Sequence, residues 1–175
     1  MREIIFRGKD KLGHWLYGGF HLWKTRQPCV CNDELKPEEI KHIIIKNSFA
    51  DWNMPRTMQP YEVVPETVGQ YTGLADKNDT KIFEGDIVEF YFFDKGHKNT
   101  KTMLIEWKDS GFCMRELFRD YRLADDFTII NEKIFTYRND VRNGVYTTNN
   151  VYFVEVIGNI HDNPELLESE VSNDV

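Results

Sequence analysis

Residues Asp86–Leu117 read DIVEFYFFDKGHKNTKTMLIEWKDSGFCMREL, and this stretch decides the fold class. Within Asp86–Phe93, Val88, Phe90 and Phe92 recur at a period of two, the spacing at which side chains of an extended chain share one face. The charged run DKGHKNTK follows, and Met103, Ile105 and Trp107 then alternate with Leu104, Glu106 and Lys108. Asp109-Ser110-Gly111 punctuates the pattern, and Phe112–Leu117 resumes it. Extended runs joined by compact turn segments predict a meander of antiparallel strands.

The same rhythm extends in both directions. Toward the C-terminus, weaker segments lie around Phe127–Ile130 and Ile134–Tyr137, and Arg138–Asn150 reads as a loop or long hairpin tip. Val151–Ile157 is the last strong strand. Asn163-Pro164-Glu165 combines a capping residue, a proline at a first helical position and an acid in the first turn, so a short helix is expected from Pro164 to about Glu168. Toward the N-terminus, ADKNDTK (Ala75–Lys81) is dense in turn residues, and Tyr61–Val64 is extended up to Pro65. Lys46–Pro60 breaks the pattern with Asn47, Asp51, Asn53, Pro55 and Pro60, which reads as a connection. Pro37-Glu38-Glu39 favours a helical start while Ile43-Ile44-Ile45 favours a strand, so one helical turn running into a strand is expected. His14–Trp23 (HWLYGGFHLW) has two readings. A hairpin turning at Gly18-Gly19 puts Trp15, Tyr17, Phe20 and Leu22 on one apolar face and is preferred, whereas a continuous strand mixes aromatics with His21 and glycines. Three parts are expected: an N-terminal β region over 1–60, a C-terminal barrel-like region over 61–168, and a flexible acidic tail over 169–175.

With 175 residues, 41% of them hydrophobic and 14% aromatic, the chain has material for a true core, and disorder away from its ends is excluded. Its uncharged apolar stretches fall short of a membrane span, and the charged opening MREIIFRGKD is unlike a secretory signal, so a cytoplasmic protein without a membrane partner is expected. Three cysteines without a secretory signal argue against a disulfide framework. Cys29 and Cys31, near His14, His21 and His42, invite a metal reading, but C-x-C without a second cysteine pair is a weak signal, and small buried or half-buried residues are the preferred account. The formal charge is -7, and five acids without a Lys or Arg fall in His161–Val175, so the rest of the chain is nearly neutral.

Specific motifs punctuate this pattern: Gln70-Tyr71-Thr72-Gly73-Leu74, Asp76-Lys77-Asn78, Glu84-Gly85-Asp86-Ile87, Gly158-Asn159 and Asn163-Pro164-Glu165-Leu166, preceded by REIIFRGKD at Arg2–Asp10. In order and spacing they resemble the YopX protein family of bacteriophages and prophages. Asn78-Asp79 stands where that family usually has Asn-Gly, and Phe83 where Tyr is common. The resemblance implies a mainly β protein, β with minor α, whose small curved antiparallel sheets form an SH3-like barrel-type region. It implies no established activity and brings no catalytic residues, and the family cofactor expectation is none.

Read on their own chemistry, Gly73 and Gly85 supply positive φ or close backbone approach beside turns, and Asp76 and Asp86 accept local N–H groups. Tyr71 offers an apolar ring whose hydroxyl wants a partner. A competing reading makes Asp76, Glu84 and Asp86 a cation site, without a further ligand or phosphate loop to support it. Gly158-Asn159 and Asn163-Pro164 read as a strand exit and a cap. No nucleophile elbow, Walker loop or dinucleotide fingerprint is present. The expected function is therefore non-enzymatic: a phage or prophage accessory protein that self-associates or binds a phage or host protein. The alternative is a small barrel that binds nucleic acid through Lys95, Lys98, Lys101, Arg115, Arg119 and Arg122, with Tyr121 nearby. A metal-dependent enzyme is the third reading.

Overall fold

A computed structural model describes residues 3–28, 34–49, 52–94, 97–108, 111–116, 119–122, 150–151 and 154–167. The chain divides into two compact units, Met1–Tyr71 and Thr72–Val175. Among the described residues the regular structure of both is mainly strand, and the boundary falls within one strand, β5 (Gly69–Asp76).

The N-terminal unit contains β1 (Phe6–Lys9), β2 (Trp15–Lys24), β3 (Ile40–Asn47) and β4 (Met58–Glu62), and takes in the first residues of β5. They pair antiparallel in the order β5-β1-β2-β3-β4. A single 3-10 turn, Pro37–Glu39, runs directly into β3, as the proline–acid start followed by three isoleucines requires. The Lys36 amide donates to Glu39 Oε2 (2.8 Å), and Arg26 clamps the same carboxylate from the other side (Nε–Oε1 2.5 Å). Arg26 is the main reason the Glu39 carboxyl is held below its ordinary value.

β2 is one continuous strand of ten residues, so the hairpin expected at Gly18-Gly19 is replaced by an uninterrupted pairing surface. The physical reason is at Gly18. A Cβ there would lie 2.1 Å from the Ile45 carbonyl oxygen, so this position admits only glycine where the backbone of β3 closes in. Gly19 faces open space. Pro60, a turn former by composition, lies inside β4 opposite Ile45. The Val63 amide donates to His42 and the Ser48 amide to Thr57 (2.9 and 2.7 Å), so the odd-numbered residues of this run turn their backbone groups to β3. Pro60 turns away, and its missing N–H removes no ladder bond.

The C-terminal unit holds β6 (Lys81–Phe83), β7 (Asp86–Asp94), β8 (His97–Lys108), β9 (Gly111–Glu116), β10 (Arg119–Arg122), β11 (Asn150–Val151) and β12 (Val154–Asn159). The meander is realised as an antiparallel sheet in the order β10-β9-β8-β7-β12, while β6 pairs with β5 and β11 joins β5 in parallel at Asn150↔Ala75. Its register places apolar residues opposite one another: Val88 faces Met103 and Ile105 faces Met114. With Ile82, Phe112 and Val154 they form the core of this unit, each buried side chain stabilising by roughly 1.5–3 kcal/mol. Trp107 closes the end of this face edge-on to Phe112, with ring centroids 4.9 Å apart.

Two expectations are corrected. The strands do not close into a barrel among the described residues: β10 and β12 end the five-strand order. The outer edge of β12 is occupied by the turn after β5 instead of by another strand, with the Lys77 amide donating to the Val154 carbonyl (3.2 Å) and the Val156 amide donating to Asp76 Oδ2 (3.0 Å). The C-terminal helix is a single 3-10 turn, Pro164–Leu167. Its Leu166 amide reaches back three residues to Asn163 (3.2 Å), and a segment this short does not meet the nucleation cost of an α-helix. The expected segments Phe127–Ile130 and Ile134–Tyr137, the Arg138–Asn149 loop, Cys29, Cys31 and the 169–175 tail lie outside the described residues. No helix among the described residues is long and apolar enough to cross a membrane.

Candidate functional site

The motif residues converge on backbone closure. Gln70 sits opposite Phe6, and the Tyr71 amide donates to the Ile5 carbonyl (2.8 Å). The Thr72 hydroxyl is buried and donates to the Ile82 carbonyl (2.9 Å), fastening β6 to β5. Gly73 carries a φ of 90° within β5, and the Leu74 side chain packs against the core. Asp76, 1% exposed, accepts the amides of Asn78 and Thr80 on one oxygen (both 2.8 Å) and that of Val156 on the other. Burial of this polar group is tolerated because three N–H groups satisfy its oxygens.

At the next turn, Glu84-Gly85 links β6 to β7. Gly85 has a φ of 82°, donates to the Ile105 carbonyl (2.8 Å) and accepts from the Ile160 amide (2.9 Å). Buried Asp86 accepts the Phe83 amide (2.7 Å). The carboxylates of Asp76 and Asp86 are thus directed at backbone amides, and no group of three or more His, Cys, Asp or Glu suited to a metal occurs among the described residues. Farther along, Asn159 Oδ1 accepts the amides of His161 and Asp162 (both 3.0 Å). A Cβ on Gly158 would lie 2.7 Å from Asn163 Oδ1 and 3.0 Å from Leu166, so the turn through Pro164 folds tightly onto it.

One polar cluster was not visible in the sequence. Lys77, on the turn after β5, places its ammonium 2.8 Å from the Tyr91 hydroxyl, 2.5 Å from Glu155 Oε2 and 4.4 Å from the centre of the Tyr91 ring. The Tyr91 hydroxyl donates to the same Glu155 oxygen, and Asn78 Nδ2 donates to the other (3.2 Å). Lys77 and Tyr91 together lower the Glu155 carboxyl to about 2. Glu155 raises the Lys77 ammonium above its ordinary value, and also the Tyr91 phenol. Glu155 stands directly opposite Glu89 in the β12–β7 ladder, so Lys77 also offsets a like-charge pair. Each member is engaged by the others, and the cluster joins a turn to a strand edge.

Of the cations considered for nucleic acid, the side chains of Lys101 and Arg115 are among the described residues. Lys95 lies outside the described residues, and for Lys98, Arg119 and Arg122 only the strand backbone is described. Lys101 is opposite Phe90 and Arg115 opposite Leu104, which puts them on opposite faces of their sheet. Arg115 donates to Glu106 (3.0 Å).

The N-terminal unit carries what the motifs do not account for. Of the twelve large hydrophobic residues exposed among the described ones, ten lie within Met1–Tyr71. The β3–β4 connection is the extreme case, with Phe49, Trp52 and Met54 at 94%, 96% and 67% exposure. Along β2, Tyr17, Leu22 and Trp23 are about half exposed. Cations flank the rings: Arg7 and Lys9 lie 4.7 and 5.1 Å from the Trp15 ring centre, and Lys41 lies 5.8 Å from that of Trp23. The every-second-residue spacing of Trp15, Tyr17, His21 and Trp23 was the available signal, obscured by the glycine pair.

The family model described as YopX protein matches residues 19–168. Among solved structures, the chain is similar to the crystal structure of protein EF1440 from Enterococcus faecalis. The identity is 24%, the comparison covers 95% of this chain and 99% of that one, and the TM-score is 0.43. No curated protein matches.

Proposed function

The chain belongs to the YopX family, and from that premise we propose a non-enzymatic interaction module whose contact surface is carried by the N-terminal unit. The carrying observation is the apolar tip between β3 and β4, where Phe49 and Trp52 are almost fully exposed. Tryptophan buried in a partner's pocket is a recurrent anchor of protein interfaces, whereas exposure of several large apolar side chains together is unfavourable for an isolated domain. The partner is a second copy of the chain or another protein of a phage or its host, met in the bacterial cytoplasm.

Pro60 bears on the mode of contact. It turns its missing N–H to the open side of β4, at the middle of that edge, which disfavours addition of a further strand. Contact through the tip and the sheet faces remains. The test is light scattering over a concentration series together with affinity capture from host cells expressing the prophage, using the intact chain and Phe49→Ala/Trp52→Ala. Concentration-dependent association or a specific captured protein, lost in the double variant, is expected. A monomer at every concentration that captures nothing overturns the reading.

Nucleic-acid binding through Arg115 and its neighbours is the less supported alternative, because Lys101 and Arg115 fall on opposite faces of their sheet.

A further inference from the structure

We propose that one face of β2 binds single-stranded nucleic acid, with bases stacking on Tyr17 and Trp23 and the backbone following Lys9 of β1 and Lys41 of β3. The register puts Lys9 opposite Trp15 and Lys41 opposite Trp23 on a common face, while Arg7, opposite Tyr17, is buried against the Trp15 ring and supports it from within. The ring contacts confirm it, since Lys9 lies over Trp15 and Lys41 over Trp23. Tyr17 and Trp23 are 47% and 50% exposed. Gly19 lies on that face between Tyr17 and His21, with nothing within 4 Å of where its Cβ would be, so a flat group can approach the backbone there.

Three features favour this ligand. Tyr17 and Trp23 stand six residues apart on β2, roughly 20 Å along the strand, so they would take two separate, unpaired bases of one extended strand, whereas a duplex keeps its bases stacked inside. The cations are arranged beside the rings on both neighbouring strands, the combination that single-strand grooves use. Charge is also partitioned. The N-terminal unit has ten Lys and Arg against nine Asp and Glu, while the remainder has twelve against twenty, so the negative total belongs to the C-terminal unit. At the edge of the face, Glu62 is shared by Lys41 (3.1 Å) and Lys11 (3.3 Å), leaving local positive charge in excess.

The experiment is fluorescence anisotropy of a labelled oligo(dT) of about 12 nucleotides with the full chain, over a salt series. Binding that weakens as salt rises is expected. Tyr17→Ala and Trp23→Ala should each weaken it at least about fivefold, the low end for loss of one stacking ring. Lys41→Gln should reduce the salt slope by about 1, and Ile157→Ala, an exposed side chain of the C-terminal sheet, should leave affinity unchanged. Thermal melts of each variant confirm that it is folded. The proposal is overturned by absence of binding at low salt, by binding that survives the Tyr17→Ala/Trp23→Ala double variant, or by equal affinity for duplex DNA or polyglutamate.

Discussion

Lys77 and Glu155 meet at 2.5 Å, joining the turn that follows β5 to the last strand of the C-terminal sheet. The contact does more than pair two charges. The same turn presents the Asp76 carboxylate and the Lys77 amide to β12, so an exposed strand edge becomes a hydrogen-bonded seam. The charged pair secures that seam from the side-chain level.

Acid should loosen it. The Glu155 carboxyl lies at about 2 in the folded protein, against an ordinary value of 4.5. A carboxyl lowered on folding contributes stability that is full above its unfolded value and is lost as pH falls toward the folded one. The expected window is therefore pH 4.5 down to about 2. Lys77, raised on folding, keeps its contribution throughout neutral pH and loses it only in strong alkali. Urea denaturation at stepped pH should show Glu155→Gln with a shallower acid dependence than the parent, and a carboxyl titration by NMR should place Glu155 far below the ordinary glutamate value. Identical pH profiles for parent and variant would contradict the assignment.

Asp79 has a φ of 68°, in the turn that closes onto Asp76 (Asp79 amide to Asp76 carbonyl 3.1 Å). An L side chain in this region is strained by roughly 1–2 kcal/mol, partly relieved for aspartate by its local hydrogen bonding, and glycine removes the strain at an entropic cost. Asp79→Gly is expected to stabilise by about 0.5–1 kcal/mol. A lower midpoint in chemical denaturation would show that the aspartate side chain contributes more than its backbone strain takes away.

Gly18 and Gly19 should respond oppositely to the same change. Alanine at Gly18 drives a methyl into the Ile45 carbonyl, whose backbone cannot move without breaking the β2–β3 ladder, so a loss of about 3 kcal/mol or more is expected. Alanine at Gly19 meets nothing and should stay within about 0.5 kcal/mol. Comparable losses at both positions, measured by thermal or urea unfolding, would favour a turn there over the continuous strand.

The meander was legible because apolar residues recur at a period of two in β7 and β8 (Val88 and Phe90; Met103, Ile105 and Trp107) between turn-rich segments, and both signals are local properties of the chain. Pro37–Asn47 was legible for the same reason, with a proline start and a β-branched run side by side. Gly18-Gly19 was not, since the same pair serves a two-residue turn or a close approach, and the deciding atom, the Ile45 carbonyl oxygen, is distant in sequence. Pro60 misled similarly: its suitability for a strand depends on which way its nitrogen faces, a matter of register. The roles of Asp76 and Asp86 as amide acceptors could be anticipated from neighbouring residues, except for the bond from Val156. The Lys77–Tyr91–Glu155 cluster could not, because its members come from three separated elements. Nor could the Arg115–Glu106 pairing, which depends on the β8–β9 register and removes a cation the sequence offered as available.

Asn78 and Glu155 stand 77 positions apart and still share a hydrogen bond, and β12 completes a sheet whose other strands were laid down long before it. The amides of Lys77 and Val156 tie the same two segments together, so β12 cannot leave its place against β7 without also freeing the turn at Asp76. The two should therefore open as one cooperative unit and lose amide-exchange protection together.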